Sequence, residues 1–134
     1  MIALLLSLTL TQAIIQVESG GNDNAIGDNG KALGCMQIWQ CVWDDVKSKP
    51  ELKGYTYQDV KKRNYTYKDV TNRKVAIMVF NAYMARYCTK KRLGREPTDE
   101  DRARCHNSGP NFFKKKHLTD GYWKKVKKVL DGAK

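Results

Sequence analysis

Apolar residues recur at helical spacing in two stretches of the C-terminal half of the chain. The first stretch predicts an amphipathic helix from about Thr71 to Cys88, and the second predicts a helix that starts near Thr119 with lysines opposite its apolar face. Between them, Thr98 is a residue type that caps helices and is followed by three acids, which predicts a further helix that stops before Gly109. We therefore expect this half of the chain to be helical.

The segment from Met1 to Val17 carries no charge and predicts another helix, buried and ended by Gly20-Gly21. A secretory signal cleaved after Ala13 is the alternative, but the segment has no basic residue at its start and its apolar run is short. The run is also too short and too polar to span a membrane. We interpret the segment as the first helix of the fold, without a cleaved signal peptide.

The middle of the chain contains mostly turn-forming and aromatic residues. Residues 20–34 are rich in Gly, Asn and Asp, which predicts a loop or small hairpin turned at Asn29-Gly30. Residues 35–46 predict a short helix with Trp39 and Trp43 in the core.

A hexapeptide is then repeated: Tyr55–Val60 recurs with one change as Tyr65–Val70, and we interpret it as a duplication that lengthens one surface loop. The predicted fold is mainly α, of the α+β type. It is a single domain over residues 1–134 in which a helical bundle surrounds the first helix, with at most one short β-hairpin.

The charge of the chain is high and uneven. Its 25 Lys and Arg against 14 Asp and Glu give a net charge of +11, whereas residues 1–45 alone carry −4. A basic surface predicts an anionic partner, such as nucleic acid, a membrane or an acidic cell-wall polymer. The run Lys114–Lys116 beside Phe112 and Phe113 is the feature that favours nucleic acid, but no nucleic-acid-binding motif accompanies it.

Four cysteines are too few for a disulfide scaffold, and they have no zinc-site spacing with His106 and His117. Cys88 and Cys105 are the better pair for a disulfide under oxidising conditions. The alternative is that the cysteines are small buried hydrophobes. We expect no metal and no cofactor.

Two acids near the start of the chain are the candidates for chemistry. Glu18 ends an otherwise uncharged helix, where apolar surroundings favour the neutral, proton-donating form that a general acid needs. Asp28 follows ten residues later, across a glycine-rich turn that can fold back over the helix end. A carboxyl group in an apolar setting and another in a polar one, facing the same cleft, is the arrangement that cleaves glycosidic bonds.

Two motifs in the N-terminal half resemble a known superfamily. The stretch 13–22, Ala-Ile-Ile-Gln-Val-Glu-Ser-Gly-Gly-Asn, looks like the first motif of lytic transglycosylases and goose-type lysozymes, in which a helix carries the catalytic Glu followed by Ser. Gly34-Cys35-Met36-Gln37-Ile38 looks like their second motif, with Cys in place of Leu.

The C-terminal half resembles the related invertebrate-type (destabilase) lysozymes. The similar stretches are 82–87, 106–110 and 122–126, and all the similarities together cover about half the chain. Ser108 stands where those lysozymes usually have Gly, and the third transglycosylase motif lacks its Tyr. We place the chain in the lysozyme superfamily, among forms that phages and bacteria encode.

The resemblance implies cleavage of peptidoglycan between N-acetylmuramic acid and N-acetylglucosamine, with Glu18 as the general acid. Asp28 then stabilises the sugar cation or positions water, and the enzyme is a hydrolase. If no second carboxylate reaches the site, a lytic transglycosylase leaves a 1,6-anhydro product, with Glu18 as acid and then base. The substrate-binding residues that the resemblance and residue type suggest are Ser19, Gln37, Asn107, Tyr83 and Tyr122. His106 is interpreted as a structural histidine.

The expected partners are bacterial peptidoglycan and, through the basic face, anionic wall polymers. We expect a monomer with no specific nucleic acid and no membrane span, acting in the periplasm or cell wall as a secreted or phage virion protein. The competing interpretations are a basic nucleic-acid-binding module and a lysozyme fold that binds the wall without cleaving it.

Overall fold

A computed structural model of the chain describes residues 8–47 and 65–132. These ranges contain six α-helices and one small antiparallel sheet, which confirms the predicted mainly α class. The helices are α1 Leu10–Ser19, α2 Gln40–Lys47, α3 Arg73–Tyr87, α4 Lys90–Leu93, α5 Asp99–Ser108 and α6 Asp120–Gly132. The strands are β1 Ile26–Gly27, β2 Ala32–Leu33 and β3 Ile38–Trp39, in the order β1-β2-β3.

Helix α1 begins and ends at residues suited to helix termini. The Thr9 side chain accepts a hydrogen bond from the backbone N–H of Gln12, and the Gln12 side chain accepts one from Thr9 in return. Gly20 ends the helix with a left-handed φ of 62°, as the glycine pair predicts. Ala13 and Ile14 are fully buried, and α1 packs against α6 and α5. The apolar run at residues 2–7 lies outside the described residues.

The sheet is larger than the single hairpin that the sequence predicts. Asn29 and Gly30 form the predicted turn between β1 and β2, with φ values of 58° and 87°. A third strand, β3, then pairs with β2, with Leu33 opposite Ile38. The extra strand forms because Gln37, with a φ of 51°, reverses the chain direction after Gly34.

The helix predicted over residues 35–46 is therefore wrong in its first five residues, 35–39. Helix α2 begins only at Gln40, because the left-handed backbone of Gln37 and the pairing of β3 are incompatible with a helix there. Trp43 is in the core, as predicted, but Trp39 is 42% exposed.

The second copy of the repeated hexapeptide belongs to the core. It forms a short 3₁₀ helix at Tyr67–Thr71, where Val70 is fully buried. A Cβ atom at Gly34 would lie 2.3 Å from the Val70 carbonyl oxygen, so only glycine allows this approach. The interpretation of this second copy as a surface loop is wrong, because its apolar residues fill the space beneath β2. The first copy, 55–60, lies outside the described residues.

The three helices predicted in the C-terminal half are confirmed as α3, α5 and α6, with Thr98 capping α5. A buried arginine joins two of them. Arg104 in α5 is 5% exposed and donates hydrogen bonds to the Lys116 carbonyl (2.8 Å), Thr119 Oγ1 (3.0 Å) and Asp120 Oδ1 (2.7 Å). Because charged donors make strong hydrogen bonds, these contacts fix the start of α6 against α5.

All four cysteines are free thiols, so the candidate pair Cys88 and Cys105 is not bridged. Cys35, Cys88 and Cys105 are buried, as the alternative interpretation expects, whereas Cys41 is exposed. Burial raises the pKa of Cys88 to about 11 and that of Cys105 to about 12, so both remain protonated near neutral pH. No helix among residues 8–47 and 65–132 has the length and apolar character needed to cross a membrane.

Candidate active site

Glu18 lies in the last turn of α1, where residues from two distant helices converge on one of its oxygens. The Tyr122 hydroxyl, at the start of α6, donates a hydrogen bond to Glu18 Oε2 over 3.1 Å. His106 Nε2, near the end of α5, lies 3.2 Å from the same oxygen. The Glu18 side chain keeps 20% of its surface exposed. The carboxyl group is thus held on one side and open to solvent on the other.

The sequence predicts a structural role for His106, and the structure adds a contact with Glu18. Its Nε2 lies 2.8 Å from the Met36 carbonyl oxygen, which can only accept, so Nε2 carries a hydrogen. Its ring meets the edge of Phe80, with centroids 5.4 Å apart. The signal in the sequence was the position of His106 in the stretch similar to destabilase-type lysozymes, but nothing local connects that stretch to Glu18.

Tyr122 approaches the site as a hydrogen-bond donor. Burial, and next the adjacent Glu18 carboxylate, raise the pKa of Tyr122 well above its usual value. The phenol therefore keeps its proton throughout the physiological range and can donate to Oε2. The predicted role of Tyr122 in substrate binding stays a prediction; its observed contact is with Glu18.

Ser19 connects the end of α1 to the loop before β3. Its Oγ lies 3.0 Å from the Ile15 carbonyl and 2.8 Å from the Cys35 carbonyl, and it accepts a hydrogen bond from the Gly21 N–H over 3.2 Å. The Ile15 contact is an ordinary contact within a helix, whereas the Cys35 contact spans 16 residues. Ser19 therefore fixes the helix end that carries Glu18.

Gln37 holds the sheet beside this helix end. Its side-chain amide donates to the carbonyls of Ala25 (3.2 Å) and Gly34 (3.0 Å). A Cβ atom at Gly27 would lie only 2.0 Å from Gln37 Oε1, so the glycine leaves room for this amide. Gln37 also lines a small cavity with Trp39, Tyr83 and His106. The amide is thus near the site, and its observed hydrogen bonds are to the backbone.

The remaining predicted residues lie at different depths. Asp28 is exposed at the start of the turn between β1 and β2, and among the described residues its side chain makes no hydrogen bond or ion pair, including any with Glu18. Asn107 is exposed in the last turn of α5, next to His106. Tyr83 is 7% exposed, and burial raises the pKa of its phenol well above the usual value. The structure therefore brings Glu18 together with Tyr122 and His106, and leaves Asp28 and Asn107 facing solvent.

Comparison with protein families gives a match that includes the whole site. The family model described as Destabilase matches residues 9–129, from the cap of α1 into the last turns of α6. The chain belongs to the destabilase family. Destabilases are lysozyme-like glycosidases, so the chain is an enzyme of that class. No curated protein sequence matches the chain.

The contact between Ser19 and the Cys35 carbonyl is expected to stabilise the helix end that carries Glu18. We expect Ser19→Ala to lower the free energy of unfolding by about 1–2 kcal/mol, because the buried Cys35 carbonyl loses its donor. The same substitution should lower activity, since the end of α1 that carries Glu18 loses its connection to the loop. Urea unfolding and the rate of glycoside hydrolysis are the measurements.

Ser108→Ala is the matched control. Ser108 also ends a helix and also donates to the carbonyl four residues earlier, that of Arg104, over 3.3 Å. It has no second contact comparable to Cys35, so we expect its loss to change the free energy of unfolding by less than about 0.5 kcal/mol. Equal effects of the two substitutions would contradict the supporting role of Ser19.

Proposed function

We propose that this destabilase-family enzyme cleaves the β-1,4 bond between N-acetylmuramic acid and N-acetylglucosamine in bacterial peptidoglycan, with Glu18 as the general acid. The observation that carries the proposal is the asymmetry of the Glu18 carboxyl group. Tyr122 and His106 both approach Oε2. The transferable proton is therefore assigned to Oε1, which is left for the substrate.

The reaction begins with proton transfer from Glu18 Oε1 to the glycosidic oxygen. The bond between C1 of the muramic acid and that oxygen breaks, its electron pair remains with the oxygen, and the sugar gains oxocarbenium character. Glu18 becomes a carboxylate at this point. The Tyr122 hydroxyl stabilises the new negative charge without moving, because its hydrogen bond to Oε2 already exists.

Asp28 is proposed as the second carboxylate. It is exposed, and its side chain is not committed to any described residue, so it is open to the sugar cation or to an attacking water. Its positive φ of 49° is tolerated by Asp better than by most residues, and backbone strain of this kind is common at functional sites. An available carboxylate favours hydrolysis over the alternative, in which the muramyl 6-hydroxyl attacks C1 and leaves a 1,6-anhydro end.

Digestion of purified peptidoglycan followed by mass spectrometry of the soluble fragments tests this assignment. We expect wild type to release fragments with reducing ends and Glu18→Gln to be slower by about 10²–10⁴-fold, the usual contribution of a general acid. Glu96→Gln is the matched control, because Glu96 is an exposed glutamate whose partner is the surface residue Lys90.

Each outcome of the digestion has a definite meaning. Fragments lighter by one water identify a transglycosylase, whereas reducing ends together with a large loss in Asp28→Asn support the hydrolase. Undiminished release by Glu18→Gln would refute the catalytic role of Glu18. Binding to walls without any release by wild type would identify a wall-binding protein instead.

Tyr122 acts, in this proposal, as a positioning residue for Glu18. We expect Tyr122→Phe to lower kcat about 10- to 100-fold, the value of one hydrogen bond to a charged group, and to leave KM nearly unchanged. The pH dependence of kcat should move as well, since a donor to the carboxylate is lost. Steady-state kinetics across a pH series is the measurement.

Tyr87→Phe is the control for Tyr122→Phe, because it also removes a tyrosine hydroxyl that donates to a carboxylate, but away from the site. The Tyr87 hydroxyl donates to Asp45, on a different pair of helices. We expect this variant to lose stability and keep its kcat. A Tyr122→Phe enzyme with normal kcat and an unchanged pH profile would show that the Tyr122 contact is structural only.

The basic surface is proposed to hold anionic wall polymers rather than nucleic acid. Helix α6, which places Tyr122 at Glu18, also carries the exposed residues Lys124, Lys125, Lys127 and Lys128. Of the aromatic pair beside the other lysine run, Phe113 is exposed, but its ring already has the Arg92 guanidinium over it. Phe112 is 2% exposed, and the Arg92 guanidinium lies 5.5 Å from the centre of the Phe113 ring.

We expect adsorption to insoluble walls to weaken with salt, and more steeply for wild type than for Lys124→Gln/Lys128→Gln. The control is Lys74→Gln/Lys91→Gln, which removes two positive charges as well, but from exposed positions on α3 and α4. Sedimentation of wall-bound protein across a salt series is the measurement. Equal loss in both double variants would show that net charge alone, and no particular face, holds the wall.

A further inference from the structure

An exposed tryptophan beside the site is unexplained by the fold. Trp39 is 42% exposed on β3, although the other residue of that strand, Ile38, is 2% exposed. It borders a groove of about 510 Å³, within the usual range of small-molecule sites. Trp39 forms one part of this groove, together with Tyr67 and the polar residues Lys31, Gln40, Cys41 and Asp44.

The groove and the small cavity beside His106 share one lining residue, Trp39. That cavity is also lined by Tyr83 and His106. His106 is in turn 3.2 Å from Glu18 Oε2. A chain-like substrate that reaches Glu18 across this side of the protein therefore passes over Trp39.

Tyr67 on one side of the groove and Asp44 on another both make contacts within the protein. The Tyr67 hydroxyl donates to the Ile38 carbonyl, which fixes the Tyr67 ring against β3. Gln40 Nε2 donates to Asp44 Oδ1 over 3.0 Å, and Lys47 pairs with the same Asp44 oxygen over 3.2 Å. The Tyr67 side of the groove is thus in place before a ligand binds, which lowers the entropic cost of binding.

The chemistry of these walls matches a sugar chain. A pyranose ring has an apolar C–H face, which packs on a flat aromatic ring, and a rim of hydroxyl and acetamido groups, which need donors and acceptors. Trp39 and Tyr67 supply aromatic surface, while Gln40 and Asp44 supply an amide and a carboxylate.

We propose that this groove binds the glycan strand outside the cleaved bond, with Trp39 stacking on an N-acetylated sugar ring. The inference rests on the proposed function, since it assigns further sugars of the same substrate to positions beyond Glu18. It makes Trp39 a binding residue that determines the preference of the enzyme for long glycan chains.

The test measures binding separately from cleavage. In the Glu18→Gln background, we expect Trp39→Ala to weaken the binding of soluble, uncrosslinked peptidoglycan strands at least about fivefold and Trp39→Phe to restore most of it. In the active enzyme, Trp39→Ala should raise KM for long strands by a much larger factor than KM for the shortest cleavable fragment. Circular dichroism and thermal unfolding show whether each variant is folded.

Cys41 provides a second measurement that needs no change at Trp39. It is the exposed cysteine among the four, so a bulky maleimide should react there and fill the groove. We expect the labelled protein to lose binding of long strands about as much as Trp39→Ala does. Cys41→Ser treated with the same reagent is the control and should bind normally.

The outcomes separate this inference from the proposed function. Unchanged binding in both Trp39→Ala and the Cys41-labelled protein overturns the groove assignment, even if wild type cleaves peptidoglycan as proposed. Absence of cleavage by wild type, with strand binding that still depends on Trp39, overturns the proposed function and supports the groove as a glycan site. An equal loss on long strands and on the shortest fragment overturns the assignment to sugars beyond the cleaved bond.

Discussion

The arrangement of the site depends on how the carboxyl group of Glu18 is held. An acid at the end of an apolar helix is costly to bury unless a donor compensates it, and here the donor, the Tyr122 hydroxyl, comes from the far end of the chain. Tyr122 and His106 approach the same oxygen, Oε2, within 3.2 Å. The other oxygen makes no hydrogen bond to a described residue, and in our proposal it is the one that transfers the proton.

Two further contacts keep this geometry in place. Arg104, buried between α5 and the start of α6, bonds to the backbone and side chains of the segment that precedes Tyr122. Ser19, directly after Glu18, bonds to the Cys35 carbonyl and so fixes the end of α1 against the sheet. Loss of either contact would shift one side of the site relative to the other, although neither residue touches Glu18's oxygens in the structure.

The acidic and basic parts of the chain form different elements of the structure. The acidic first third supplies α1, the sheet and α2, which form the Glu18 end and the groove at Trp39. The basic remainder supplies α6, whose exposed lysines lie on the helix that also delivers Tyr122. In our proposal the neutral glycan is cleaved on the first surface while anionic polymers of the same wall are held on the second.

The sequence by itself determined the elements whose causes are local. Apolar spacing, the caps at Thr98 and Gly20, and the Asn29-Gly30 turn each act within a few residues, and α1, α3, α5, α6 and the turn follow from them. Glu18 could be singled out because its place in an uncharged helix coincides with the resemblance of residues 13–22 to the first motif of the lysozyme superfamily. What the tertiary structure decided is the set of contacts between residues far apart in the chain: His106 against Glu18, Val70 against Gly34, and Ser19 against Cys35. The left-handed backbone at Gln37 and the exposure of Trp39 belong to this set, because each is fixed by β3 pairing with β2 and by packing that no local propensity encodes.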